Sequence, residues 1–308
     1  MSKLVIVGTV AFDAIETPFG KTDEILGGAA TYIGLSASNF HVDSAAVSVV
    51  GGDFPQEYLD LLKNRNVNID GVEIVKDGKT FFWSGKYHND MNSRDTLATE
   101  LNVLEHFNPI VPEDYKDSEV VMLGNLHPLV QQGVLDQMTT KPKLAILDTM
   151  NFWMDIALDD LLSVIKNVDV ITINDEEARQ LTGEYSLVVA ARKIHDMGPK
   201  YVVIKKGEHG ALLFHNDNVF YAPALPLEEV FDPTGAGDTF AGGFAGYLAK
   251  TGDFSFENMK TAVIYGSTLA SFCVEKFGTE RMQNLTDKEI YKRLDQFKSL
   301  TQFDIELA

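Results

Sequence analysis

The stretch Asp232-Pro-Thr-Gly-Ala-Gly-Asp-Thr-Phe240, followed by Ala241-Gly-Gly-Phe-Ala-Gly-Tyr-Leu-Ala249, decides how this chain reads. Its first half is a turn holding two glycines. Its second half carries no proline and reads as a buried helix of small residues. A loop that opens a helix turns successive backbone N–H groups toward one spot, and the positive end of the helix dipole adds to their field. Such a spot attracts a phosphate or a developing oxyanion. Asp238 stands where that field favours an anion, so it is expected to stay ionised. An ionised Asp at this place can accept a proton from a hydroxyl while the N–H groups hold a phosphoryl group. A glycine turn with an Asp in the first helical turn is common by itself, where the Asp is only a dipole partner. The length of the pattern lifts it here. The stretch fits neither GxxxxGK[ST] nor GxGxxG.

Asp232, Thr234, Gly235, Ala236, Gly237, Asp238, Thr239, Phe240 and Gly243 fit the signature DTxGAGDxFxxG. In this the chain resembles the ribokinase-like (PfkB) carbohydrate and nucleoside kinases, and the resemblance runs from Gly8 to about Gly278. It implies an α/β, ribokinase-like fold with a mainly parallel central sheet, helices on both faces and a small antiparallel β lid. The whole chain, 1–308, would form one such kinase domain, with the lid built from about 12–26 and 69–104.

Composition agrees with that size class. The chain has 308 residues, 45% of them hydrophobic, enough for one large α/β domain. The single cysteine, Cys273, lies in an apolar helical pattern and reads as a buried small hydrophobe. One cysteine excludes a disulfide framework, and a reducing cytoplasm is the expected location. A formal net charge of −19 argues against nucleic acid and anionic membrane as partners. No apolar run reaches transmembrane length.

Along the chain, Lys3–Gly8 and Ser44–Val50 read as buried parallel strands, each followed by a glycine-marked helix start. Asp13, Gly27, Gly28 and Asp53 then fall at carboxyl ends of strands or at helix starts, where ligands sit in open α/β sheets. From Ile69 to about Leu101 helical periodicity is absent and β-branched and aromatic residues are frequent, so this stretch is expected to form antiparallel strands. Phe81, Phe82, Trp83 and Tyr87 are its aromatics. From Ser118 onward strand and helix alternate again, ending in two long helices, roughly Phe254–Lys276 and Thr286–Leu300.

Asn174-Asp-Glu-Glu177 has the spacing of a capping box, and that reading accounts for it fully. The resemblance adds a second one, since the family carries an NxxE motif associated with Mg²⁺ and phosphate placement; Glu177 would then act on the metal indirectly. Lys205-Lys-Gly207-Glu-His-Gly210 resembles the family's nucleotide-binding strand and loop, where Lys205 is either a phosphate contact or a surface charge. Asp13, Gly27, Gly28 and Asp53 match the family's acceptor-binding positions, and carboxylates suit vicinal hydroxyls. Tyr32 replaces an asparagine frequent in the family. It either stacks on a base or sugar face or points into the core. The helix holding Ala262, Val263 and Gly266 would wall the nucleotide site. Some members also use a monovalent cation such as K⁺ beside the residue matching Asp232.

The resulting expectation is an ATP- and Mg²⁺-dependent kinase acting on the hydroxymethyl group of a sugar or nucleoside. Asp238 would be the base, and the N–H groups of Gly235, Ala236 and Gly237 the anion hole. Tyr32 inclines the acceptor toward a nucleoside 5′-hydroxyl. Pairing of lids implies a homodimer. The alternative is a catalytically silent sugar- or nucleoside-sensing protein on the same fold.

Overall fold

The structure, a computed structural model, describes residues 2–302. β1 (Leu4–Val7) is buried on both faces, as its unbroken apolar run requires. Three strands then leave the main layer: β2 (Ala11–Thr17), β3 (Gly20–Lys21) and β4 (Ile25–Gly27). The chain returns through α1 (Ala29–Ser38), β5 (Ser44–Gly51), α2 (Gln56–Asn64) and β6 (Val67–Val75). It leaves again for β7 (Phe82–Tyr87) and β8 (Arg94–Glu100). Regular alternation follows with β9 (Val120–Leu123), α3 (Pro128–Asp136), β10 (Leu144–Asp148), α4 (Asn151–Ile156), α5 (Leu158–Asn167), β11 (Val170–Asn174), α6 (Asp175–Thr182), α7 (Leu187–Met197) and β12 (Tyr201–Lys205). A hairpin, β13 (Ala211–His215) and β14 (Asn218–Ala222), precedes α8 (Ala236–Thr251), α9 (Phe256–Cys273), α10 (Glu280–Gln283) and α11 (Asp287–Thr301).

The large sheet has nine strands in the order β14-β13-β12-β11-β10-β9-β1-β5-β6. Every pairing from β12 to β6 is parallel, and only the terminal hairpin runs antiparallel. Side chains alternate between two cores, as the two-residue period of a strand demands. Leu4 and Ile6 enter the core under α1, α8 and α9, while Val5 and Val7 enter the one under α3, α5 and α7. The glycines of α8 set how closely it lies on α1: a Cβ on Gly246 would come within 2.8 Å of Ala37 Cα, and one on Gly242 would strike Ile33 O. The carboxyl ends of β10, β11 and β12 thereby share one edge with the N-termini of α1 and α8.

The second sheet has the order β3-β2-β7-β8, with β4 also paired to β2. Its pairings are antiparallel except β2 with β7, which is parallel. The lid run expected from residue 69 begins too early. β6 pairs in parallel with β5 as the edge of the large sheet, because β5, α2 and β6 form one βαβ unit. Helices α4 and α5 follow one another with a break at Ala157.

Candidate active site

The signature loop is held from within. Asp232 Oδ1 accepts the Thr234 N–H at 2.8 Å and Oδ2 accepts the Gly278 N–H at 2.8 Å, which clasps the loop to the segment after α9. Gly235 caps α8 with φ 73, a left-handed conformation that glycine adopts without strain. A Cβ there would also collide with the ring of Tyr32. The anion hole is narrower than expected. The Ala236 N–H donates to Pro233 O at 3.2 Å, so it is committed to the turn. The N–H groups of Gly235 and Gly237 have no partner among the described residues. Cys273 is fully buried behind the loop, its Sγ 3.6 Å from Thr234 O.

Beside that loop sits a cluster of buried charges. Lys205, at the end of β12, reaches across β11 to Asp148 at the end of β10, with Nζ 3.1 and 3.0 Å from the two carboxylate oxygens. Their side chains are 16% and 5% exposed, so Lys205 is not a surface charge. Its Nζ also lies 3.3 Å from where a Cβ on Gly237 would be. Burial pulls the Lys205 ammonium down, but Asp148, Glu177 and Asp238 more than offset this, and the proton stays on lysine. Asp238 departs from expectation. Burial and then the nearby Asp148 push it up to about 7, against the pull of Lys205 and Arg94, so the loop's field does not keep it fully ionised. Glu177 forms the reciprocal capping box: Asn174 Oδ1 accepts the Glu177 N–H at 2.8 Å, and Glu177 Oε2 accepts the Asn174 N–H at 2.8 Å. Its carboxyl is nevertheless pushed up to about 7, by burial first. Capping and proximity to Lys205 thus coexist in one side chain.

On the acceptor side Asp13 lies in β2, buried, against Gly27, where any Cβ would strike its carboxylate. Burial and Asp232 push it up to about 7, while the Gly28 N–H it accepts pulls the other way. Gly28, at φ 93, comes so close to Thr9 that a Cβ would meet its carbonyl. Tyr32 offers no stacking face. It is 1% exposed, packed beneath Gly235, with its hydroxyl buried and without a hydrogen-bond partner. Helix α1 buries every residue, so its fourth position points inward. Asp53 is exposed, and its Oδ1 accepts both the Thr80 N–H (2.9 Å) and the Thr80 hydroxyl (2.7 Å), anchoring the strand that leads into the lid. Val263 is completely buried in the core and presents no wall to a nucleotide.

The lid lies down on this floor. The Thr234 hydroxyl is 3.3 Å from the Tyr87 hydroxyl, and Tyr87 is 5% exposed. Asn92 in the β7–β8 turn has its Oδ1 2.9 Å from where a Cβ on Gly207 would be, and the φ of 53 at Gly207 starts the tight turn ending at Gly210. The positive charge of Arg94 on β8 reaches both Glu177 and Asp238. Asp148, Tyr87 and Arg94 are the participants sequence reasoning missed. Asp148 closes an apolar strand like many other acids, Tyr87 is one of several lid aromatics with nothing to single it out, and Arg94 stands in a polar run without a motif. His209 is exposed, as its turn position predicts.

Fold and site together define an ATP-dependent kinase of sugars or nucleosides. The chain belongs to the pfkB family of carbohydrate kinases, which it matches over residues 1–286. It is 36% identical over 255 residues to a cytidine kinase of Thermococcus kodakarensis, covering 80% of this chain and 89% of that one. The fold is also that of the nucleoside kinase of Methanocaldococcus jannaschii, at a TM-score of 0.78 and 22% identity over 96% of this chain and 99% of that chain. An E. coli protein described as a ribokinase II, solved with ATP and Mg²⁺, superposes at a TM-score of 0.79 with 17% identity over 97% of this chain and 100% of that chain. Among the described residues no helix is long and apolar enough to cross a membrane.

Proposed function

We propose that this kinase phosphorylates the 5′-hydroxyl of a nucleoside, with Asp238 as general base. One observation carries the chemistry: a half-buried carboxylate in the first turn of α8 has an ammonium and two unpaired N–H groups beside it. Asp238 takes the proton of the acceptor hydroxyl. The freed oxygen bonds to the γ-phosphorus of ATP, the bond from that phosphorus to the bridging oxygen breaks, and ADP leaves. The N–H groups of Gly235 and Gly237 and the ammonium of Lys205 offset charge on the transferring group. A base whose pKa lies near 7 is matched to work near neutrality. Asp13 accepts hydrogen bonds from ribose hydroxyls. The nucleoside assignment is supported by the name of the 36%-identical relative, a cytidine kinase, and no longer by Tyr32.

The residues suit a hard cation that arrives with the nucleotide. Glu177 keeps Oε1 beyond its cap, and no cluster of three or more His, Cys, Asp or Glu side chains among the described residues forms a metal cage. Magnesium would therefore take most of its ligands from phosphates and water, and when bound it supplies neutralising charge on the phosphates. Each oxygen of Asp232 accepts one N–H in the loop clasp and keeps a further lone pair, which is compatible with a monovalent cation such as K⁺ at that residue. Leu97 (56% exposed) and Leu101 (44% exposed), on and just after the edge strand β8, support a homodimer through the lid. The test is ADP release with cytidine, uridine, adenosine, inosine, ribose and fructose as acceptors. A nucleoside should give the highest kcat/KM, and a free sugar in first place would overturn the assignment.

A further inference from the structure

The inner face of the lid can be read from strand register. Asp13 on β2 pairs with Trp83 on β7, and Tyr87 on β7 pairs with Arg94 on β8. Paired positions share a face, and so do alternate residues along a strand. Asp13, Trp83, Gly85, Tyr87 and Arg94 therefore line one surface. That surface faces the site, because Tyr87 meets Thr234 and Asp13 feels the charges of Asp232 and Asp238.

Trp83 is disposed on that surface in a particular way. Gly85 leaves room for its ring: a Cβ there would strike the six-membered part of the indole. The ring thus lies along the sheet instead of standing off it. Its Nε1–H points to the Thr96 hydroxyl at 3.4 Å, and the Arg94 guanidinium carbon is 5.9 Å from its centroid. One side of the indole rests on the lid, and the residue remains half-buried.

We infer that Trp83 is the platform on which the base of the nucleoside stacks, while the neighbouring Asp13 receives the hydroxyls of the ribose. The inference rests on the nucleoside reading given above and goes further by naming what recognises the base. The cross-strand pair holds the two contacts about 5 Å apart at their Cβ atoms, so a base and its sugar can meet them together. Stacking tolerates any base, because each has a π face, so Trp83 separates nucleosides from free sugars more than one base from another. It fills the role that sequence reading offered to Tyr32, whose ring is sealed in the core.

The chain has two tryptophans, so Trp153→Phe leaves Trp83 as the only indole. Trp153 lies on α4, where its Nε1–H donates to Asn125 Oδ1 at 2.7 Å, outside the surface described. Cytidine titrated into the full-length W153F protein should change indole emission saturably near its KM, whereas ribose should leave it flat. In activity, Trp83→Leu should lower kcat/KM for cytidine roughly 10- to 100-fold and move ribose by less than about threefold, with partial rescue in Trp83→Phe. If W83L loses cytidine and ribose activity alike, or if cytidine saturates with no emission change, the platform is refuted while the nucleoside assignment stands. Should W83L fail to fold, the W153F titration decides alone. A wild type that turns over only free sugars overturns both.

Discussion

The two sheets are made of opposite materials. Strands β1, β9 and β10 of the large sheet are buried along their whole length, and the one charged residue among them, Asp148, stands at the carboxyl end of β10. Strand β8 of the lid is exposed at nearly every position and yet delivers Arg94 to the same site. The floor therefore holds its carboxylates at a cost in stability, since burial disfavours their charged forms. Strand β8 holds its polar groups at almost none, although the lid strand β2 carries the buried Asp13. Mutations of the buried charges should change activity and stability together, and mutations in β8 should change activity alone.

The largest expected effect is that of Asp238→Asn. Loss of the base should lower kcat by about 10² to 10⁴. Folding favours the protonated form of a carboxyl held above its ordinary 3.8, so that contribution is complete below the ordinary value and lost as pH rises through about 7. D238N should therefore melt higher than wild type at pH 8 and about equally at pH 4. Wild-type kcat/KM should rise with pH through about 7. The acid limb belongs jointly to Asp238, Asp13 and Glu177, all pushed to about 7. A D238N that melts lower at pH 8 would remove the cost assigned to the floor.

Next comes the Asp148–Lys205 pair. Lys205→Met should lower kcat by roughly two orders of magnitude, in the range typical of one lost charged contact to a transition state. Asp148→Asn should lose less activity but more stability, because it leaves a buried ammonium unpaired. If Asp148 acts by holding Lys205, adding D148N to K205M should lower kcat no further. Losses that multiply would show Asp148 acting by itself.

Arg94→Ala tests the lid's side of the contrast. It should lower kcat/KM by about tenfold through lost charge near Asp238, with a melting temperature within about 1 °C of wild type, as for exposed surface changes. A large fall in melting temperature would mean that β8 is structural after all. The smallest change is expected from Glu177→Gln. Glutamine also serves a capping box, so stability should hold at pH 4 and rise at pH 8, where the carboxyl pushed up to about 7 is otherwise ionised, while the Mg²⁺ concentration needed for half-maximal rate should rise about two- to tenfold. An unchanged Mg²⁺ dependence would leave Glu177 a cap only.

What could be read beforehand follows the same division. Continuous apolar runs marked strands such as those in Lys3–Gly8 and Ser44–Val50, because burial on both faces leaves composition little freedom, whereas β6, interrupted by Asn68, Asp70 and Glu73, was read into the lid. The loop at 232–240 and the capping box at Asn174 were legible because backbone geometry demands particular residues at fixed spacing. Asp148 was not, since only the strand order β12-β11-β10 brings it to Lys205, 57 positions away. Nor was the state of Asp238. A local field argument predicts an ion, and the burial that outweighs it comes from chain segments far away in sequence. Tyr32 was ambiguous because an aromatic near a helix start can face either way, and only the packing of α1 against the signature loop decides it.

The seam between α1 and α8 has a consequence for how this enzyme can be remade. With Gly242 and Gly246 pressed on Ile33 and Ala37, and Gly235 on Tyr32, the helix that follows Gly28 and the helix that follows the 232–235 turn are packed without room for a side chain between them. A larger residue anywhere along that line shifts both centres of chemistry at once. Directed evolution toward new acceptors should therefore accumulate its successful changes in β2, β7 and β8, and leave the seam untouched through every round of selection.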